Sequence, residues 1–190
     1  MAAFSDKPLL EIDTVEQWES WLDANHGHDG VRLRLRKKAA KVPGITYDEA
    51  LEAALCFGWI DGQAASLGEN YSLRLFTPRR ARSIWSQRNR DIVGRLADEG
   101  RMRAAGAAEI ERAKADGRWD AAYRWKGAEV PADLQSALDA NPAAAAFFAT
   151  VTSQNRFAIL FRIGNVKRAE TRARKIAEYV AMLERGETIH

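Results

Sequence analysis

Six arginines, Arg74, Arg79, Arg80, Arg82, Arg88 and Arg90, stand between Asn70 and Asp91 with no acid among them. Trp59 and Trp85 bracket this block, and Asp61 and Asn89 are its polar companions. Guanidinium groups offer planar paired donors that suit phosphate and carboxylate. Thr77-Pro78 reads as the end of a strand and Ser86 as the start of a helix. Such a junction presents backbone N–H groups at the positive end of a helix dipole. The candidate ligand-binding residues are therefore Trp59, Asp61, Arg74, Arg79, Arg80, Ser83, Trp85, Ser86, Arg88 and Asn89.

Two readings of the block compete. In one, Arg79, Arg80, Arg88 and the Ser86 helix start form an anion site. In the other, one arginine of the 79–82 group pairs with Asp61 and the others face solvent. Asp61 follows Trp59-Ile60, and a carboxylate among apolar residues is costly unless paired. An internal salt bridge is the expectation for Asp61, with a general-base role as the alternative. Trp85 is expected in the core with its indole N–H on a backbone acceptor. Stacking on a flat ligand is its alternative.

Other chemistry is sparse. Cys56 is the single cysteine, so no intramolecular disulfide is available, and its apolar helical setting points to the core. The three histidines, His26, His28 and His190, have no sequence reason to approach it. No zinc-type Cys/His cluster, GxGxxG or Walker loop is present. No metal, cofactor or catalytic residue is assigned. Arg32, Arg34 and Arg36 alternate with Val31, Leu33 and Leu35; a solvated, edge-guarding strand face is the expectation. A track for a nucleic-acid backbone is the alternative.

The elements around these residues follow from caps and periodicity. Thr14 with Gln17 and Thr46 with Glu49 fit capping boxes. They start helices over about Val15 to Asn25 and Tyr47 to Gly58. Strands are expected at Val31–Arg36, Trp59–Leu67 and Tyr71–Phe76, with a hairpin turn at Gly68-Glu69-Asn70. Leu9 to Ile12 is a further edge candidate. In the third strand Tyr71, Leu73 and Leu75 make the expected apolar face, leaving Ser72, Arg74 and Phe76 opposite. Helices then follow throughout: one from Ser86 to Gly100, one from about Ala104 to Gly117, and one from Pro131. Others start at Asn141-Pro142 and at Ser153, and the last runs over about Lys167 to Arg185. That last helix is expected to bury Ala169, Ala173, Ile176, Val180 and Leu183. Arg168, Arg172, Lys175 and Tyr179 would lie opposite. Trp119, Tyr123 and Trp125 form an aromatic patch, and Gly127 to Pro131 is the one linker candidate.

At 190 residues, 46% hydrophobic and 29% charged, the chain has the composition of a globular protein with a real core. A net charge of +3 does not by itself argue for nucleic acid. Residues 1–30 carry seven acids and one base, whereas residues 31–45 carry six bases and no acid. No apolar signal segment or membrane-length run is seen, so a cytoplasmic location without membrane insertion is expected.

The chain resembles the bacterial YdeI/OmpD-associated proteins, the bacteriocin-protection family. The matching pieces are Leu55–Gly62, Pro78-Arg79-Arg80 through Ser83–Ser86 to Asn89, Gly100-Arg101-Met102 with Gly106, and Gly117-Arg118-Trp119. Val130–Leu134 and Lys167 with Glu170-Thr171-Arg172 and Ile176 complete them. Gly164–Lys167 departs from the Ala-Lys pair that is more frequent in the family. The resemblance implies a link to antimicrobial-peptide resistance and, by name, to a porin; it implies no reaction or cofactor.

The expected fold is α+β: a small antiparallel N-terminal sheet with packed helices, then an all-helical C-terminal part. The domains are drawn as 1–126 and 131–190. The leading functional expectation is a non-catalytic binding protein linked to stress or bacteriocin resistance. Its partner would be an anionic small molecule or acidic protein. A nucleic-acid-binding protein and an enzyme using Asp61 are the alternatives.

Overall fold

The computed structural model describes residues 4–123 and 129–190. Trp125 and the start of the Gly127–Pro131 linker lie outside the described residues. The chain divides into two compact units, Met1–Ala122 and Tyr123–His190.

The first unit holds the strands β1 (Leu9–Leu10), β2 (Val31–Arg36), β3 (Trp59–Leu67) and β4 (Tyr71–Pro78), in the order β1-β2-β4-β3. The pairs β2–β4 and β3–β4 are antiparallel, whereas the short β1 runs parallel to β2. Its helices are α1 (Val15–Ala24), α2 (Tyr47–Cys56), α3 (Gln87–Asp98) and α4 (Ala104–Ala115). Both capping boxes form: Thr14 with Gln17 and Thr46 with Glu49 each satisfy backbone donors reciprocally. One core joins Val31, Leu33, Leu35, Trp59 and Phe76 of the sheet to Trp18 and Leu22 of α1 and Leu51 and Leu55 of α2. Val93 and Leu96 of α3 and Ile110 of α4 complete it.

The expected face of β4 is reversed. Val31 pairs with Phe76 and Leu33 with Arg74, and cross-strand partners share a face. Phe76 is fully buried, its ring 5.6 Å from that of Trp18. Arg74 therefore emerges on the helix-covered face. Leu73 lies beside Arg34 on the other face, where the Arg34 guanidinium covers the Tyr71 ring at 4.7 Å.

Helix α4 crosses α2 at contact of main chains. A Cβ on Gly106 would meet the Cys56 carbonyl oxygen at 2.2 Å. Only glycine permits this approach, and it sets where the chain after α4 runs.

The second unit comprises α5 (Ala132–Asp139), α6 (Pro142–Thr150), α7 (Ser153–Gly164) and α8 (Ala169–Glu184). Leu134, Leu138, Phe148, Ile159, Ile163, Ile176, Tyr179 and Leu183 form its core. Two details differ from expectation. Thr152, not Ser153, caps α7 by accepting from the Asn155 N–H. Tyr179 is buried while Ala169 and Ala173 are exposed, because the inward stripe of α8 runs through Ile176, Tyr179 and Leu183. Arg172 clasps Asp133 through Nε and Nη2 at 2.5 and 2.9 Å. It also donates to the Ile163 carbonyl at 2.8 Å, so one guanidinium joins α5, α7 and α8.

Candidate functional site

The arginine block folds into two arrangements within the first unit. The first surrounds Tyr47, the opening residue of α2. Its hydroxyl donates to Asp61 Oδ2 at 2.9 Å, and Arg74 Nη1 lies 3.7 Å from the same carboxylate oxygen. Arg74 also donates to the Gly62 carbonyl at 3.0 Å. The Arg74 guanidinium stands 4.6 Å from the Tyr47 ring centre and that of Arg88 at 5.3 Å. Arg88 reaches Asp48 at 2.8 Å. Asp61 is thus partnered by Tyr47 and Arg74, not by the 79–82 group. The β4 face explains why: Phe76 inward brings Arg74 to the same side as Asp61. Burial, aided by the Asp61 charge, pushes the Tyr47 phenol up to about 12, so it remains a hydrogen-bond donor.

The second arrangement is a stack of arginines and tryptophans beneath the loop between β4 and α3. Arg79 begins the loop yet is 6% exposed. Its N–H donates to the Gly58 carbonyl and its Nη1 to the Ile84 carbonyl at 3.3 Å. Its guanidinium lies 3.6 Å from the Trp85 ring centre. Trp85 meets Trp119 edge-on at 5.0 Å, and the Arg90 guanidinium lies 4.9 Å from the Trp119 ring. Arg90 donates to the Trp119 carbonyl at 2.8 Å. Arg118 donates to the Ser83 carbonyl at 2.6 Å and pairs with Asp116. Three cations thereby pack against one loop: the buried Arg79 from the loop itself, and the half-buried Arg90 of α3 and Arg118 of the turn after α4. Arg80 and Ser83 close its outer turn: the Arg80 N–H donates to Ser83 Oγ and the Ser83 N–H to the Arg80 carbonyl, each at 2.9 Å. Arg80, Arg82 and Ile84 are exposed on that turn, Ile84 to 44%.

Ser86 caps α3 by accepting from the Asn89 N–H at 3.1 Å, and Asn89 is buried. Trp59 belongs to the core, edge-on to Trp18 and Trp21. Trp85 is 2% exposed, as a core tryptophan should be. Its indole Nε1 nevertheless has no acceptor among the described residues, contrary to the expected backbone partner. Arg90 Nε is a second buried donor without an acceptor among them. Buried donors are ordinarily paired, so each such atom calls for a cause.

The strand arginines are engaged as well. Arg34 pairs with Glu11 and Asp13 at 2.8 and 3.0 Å. Arg32 donates to the Lys7 carbonyl, and Arg36 to those of Gly44 and Ala40. Cys56 is buried, and burial raises its thiol to about 11. No helix of the described residues is long and apolar enough to cross a membrane.

Sequence reasoning missed Tyr47, read only as a helix start, and the joining of Arg90, Arg118 and Trp119 to Trp85. Gly117-Arg118-Trp119 was a visible signal, but nothing local ties it to a loop more than thirty residues earlier.

Comparison with protein-family models divides the chain in the same region. Residues 10–109 match a domain of unknown function (DUF8412). Residues 127–186 match the model described as bacteriocin-protection, YdeI or OmpD-associated. The pieces from Leu55 to Gly106 fall in the first match; Val130–Leu134 and Glu170–Arg172 fall in the second. No curated protein and no solved structure matches the chain.

Proposed function

Because the chain belongs to the bacteriocin-protection, YdeI or OmpD-associated family through its C-terminal unit, and to the DUF8412 family through its N-terminal one, we propose the following function. It is a non-catalytic cytoplasmic binding protein acting in bacterial stress or bacteriocin resistance. Its N-terminal unit holds a small anionic ligand at the 79–90 loop. The observation that carries this reading is the pair of buried donors, Trp85 Nε1 and Arg90 Nε. Both lack acceptors among the described residues and both sit in a stack with Arg79, Arg118 and Trp119. A phosphate or carboxylate group supplies acceptor oxygens and charge together, which suits donors surrounded by guanidinium groups.

In this reading Arg79, Arg90 and Arg118 fix the loop, and Arg80 and Arg82 draw the anion towards it. A nucleic-acid partner would have to use the same loop, since Arg32, Arg34 and Arg36 already hold carboxylates and carbonyls of their own chain. Asp61 serves in this account to fasten β3 to α2 through Tyr47.

The test is isothermal titration with pyrophosphate at low salt. Binding should be saturable and weaken at least tenfold in the Arg80→Ala, Arg82→Ala double variant. A hydrogen bond to a charged group contributes about 1.5–3 kcal/mol, so Trp85→Phe should weaken binding by roughly ten- to a hundredfold. Absence of binding, or equal affinity in both variants, removes the reading. Binding of DNA or RNA in preference, with a steep loss on adding salt, would move the function to the nucleic-acid class.

A further inference from the structure

In the C-terminal unit, residues 187–190 lie in a seat whose polar floor is one buried side chain. Asn155 is 5% exposed. Its Oδ1 accepts from the His190 N–H at 3.0 Å, and its Nδ2 donates to the His190 carbonyl at 3.3 Å. Nδ2 also donates to Thr152 Oγ1 at 3.2 Å, which fixes the amide plane. The amide has one donor end and one acceptor end, matched to the C=O and N–H of a single residue. Asn155 therefore reads main chain, not side chain. Next to it Ile189 is partly buried against the core of the unit, while Thr188 and His190 are exposed. The seat therefore holds the main-chain N–H and C=O of one residue and the branched aliphatic side chain just before it.

The segment in the seat is separable from the helix before it. Gly186 takes a left-handed conformation (φ 69°) and closes α8. Its N–H donates to the Leu183 carbonyl, and the Glu187 N–H donates to that of Met182. The helix end is complete before residue 188, so residues 188–190 can leave without unwinding α8. Their departure would leave Asn155 Oδ1 without its donor and Nδ2 with Thr152 Oγ1 alone, and a buried acceptor left so needs a replacement.

We propose that this seat is a peptide-binding site: it takes a segment of another protein bearing Ile, Leu or Val followed by any residue with a free N–H. Residues 188–190 occupy the seat in cis and are displaced when the partner binds. Pairing of one residue's main chain with the Asn155 amide gives the affinity and the aliphatic contact the selectivity. The site belongs to the second unit and does not depend on the anion reading.

The probe is a fluorescein-labelled hexapeptide, Arg-Gly-Glu-Thr-Ile-His, followed by fluorescence polarisation. A variant of the full chain ending at Glu187 should bind it at least tenfold more tightly than the intact chain, in which the internal segment competes. Asn155→Ala in that variant should abolish binding, as should N-methylation of the peptide's His or Ser in place of its Ile. Ala in place of its His should leave binding unchanged. A shortened variant that is folded by circular dichroism yet does not bind, or that binds the N-methylated peptide equally, overturns the proposal.

Hydrogen exchange on the intact chain decides the matter should the shortened variant not fold. The His190 amide is expected to exchange by local opening, at least a hundredfold faster than the amides of Ile176 and Tyr179. Exchange of all three at one rate would make residues 187–190 a fixed part of the fold and refute displacement.

Discussion

The crossing of α2 and α4 allows a sharp prediction, because it is made by a glycine against main chain. A Cβ at residue 106 would lie 2.2 Å from the Cys56 oxygen and 2.8 Å from both the Cys56 carbon and the Leu55 oxygen. All three obstacles are backbone, so no side chain can swing aside. In Gly106→Ala the helices must separate by roughly 1 Å, and a gap of that size forfeits a quarter to a half of the dispersion between facing atoms. Overpacking of this kind costs about 1–3 kcal/mol, and a rigid obstacle places the variant near 3. For a unit of this size that is a fall in Tm of roughly 10 °C. Gly94→Ala is the internal control: its Cβ meets nothing within 4 Å, and relief of glycine inside a helix should stabilise by up to about 1 kcal/mol. Urea unfolding followed by tryptophan fluorescence suits the comparison, since five of the six tryptophans belong to the N-terminal unit. The effect should reach the loop, because the Trp119 N–H donates to the Ala113 carbonyl at the end of α4 and Trp119 touches Trp85. Pyrophosphate affinity should therefore fall in Gly106→Ala at temperatures where it remains folded. Equal stability of the two alanine variants would mean that main-chain contact at residue 106 does not set the crossing of α2 and α4.

Three further outcomes are expected. Tyr47 should titrate near pH 12, later than an ordinary tyrosine, in an absorbance titration compared with Tyr47→Phe. Its folded value is raised, so its contribution to stability is complete below about pH 10 and is lost as pH rises towards 12. Arg172→Ala should destabilise the C-terminal unit by about 1 kcal/mol in chemical unfolding, a modest figure because the pair is half-exposed. The Arg172 hydrogen bond holds the Asp133 carboxyl below its ordinary value. The difference between wild type and variant should then be full at neutral pH and shrink as pH falls through the carboxylate range. Cys56 should resist a thiol reagent such as dithionitrobenzoate in the native state and react on unfolding, since its thiol is buried and raised to about 11.

The parts of this fold legible in the sequence were those decided within a few residues. Thr14–Gln17 and Thr46–Glu49 satisfy their own backbone, and Gly100, Gly117 and Gly186 end helices by their left-handed conformations. The face of β4 was not decided locally. Tyr71, Leu73 and Leu75 alternate as cleanly as any buried face, but the pairing of Trp59 with Pro78 and Val31 with Phe76 turns the other side inward. That single reversal exchanged the partner of Asp61, because it moved Arg74 to the carboxylate's side. In α8 the candidate stripes differ by a fraction of a turn, and Tyr179 supplies more apolar surface than Ala173. The candidate site was legible as an arginine block and not as a structure. Arg79, which looked like a surface cation, lies on the Trp85 ring, and the groups that complete the stack come from Arg118 and Trp119.

Anion binding at the 79–90 loop turns on one proton, the indole N–H of Trp85. Proton–nitrogen correlation spectra of the 15N-labelled chain contain an indole signal from each tryptophan, and Trp85→Phe identifies the one from residue 85. Titration with pyrophosphate should move that signal saturably, with the same dissociation constant as calorimetry, and move the Arg90 Nε–H signal with it. An unmoved Trp85 indole at ligand concentrations that saturate the protein would place the anion elsewhere and rule out this site.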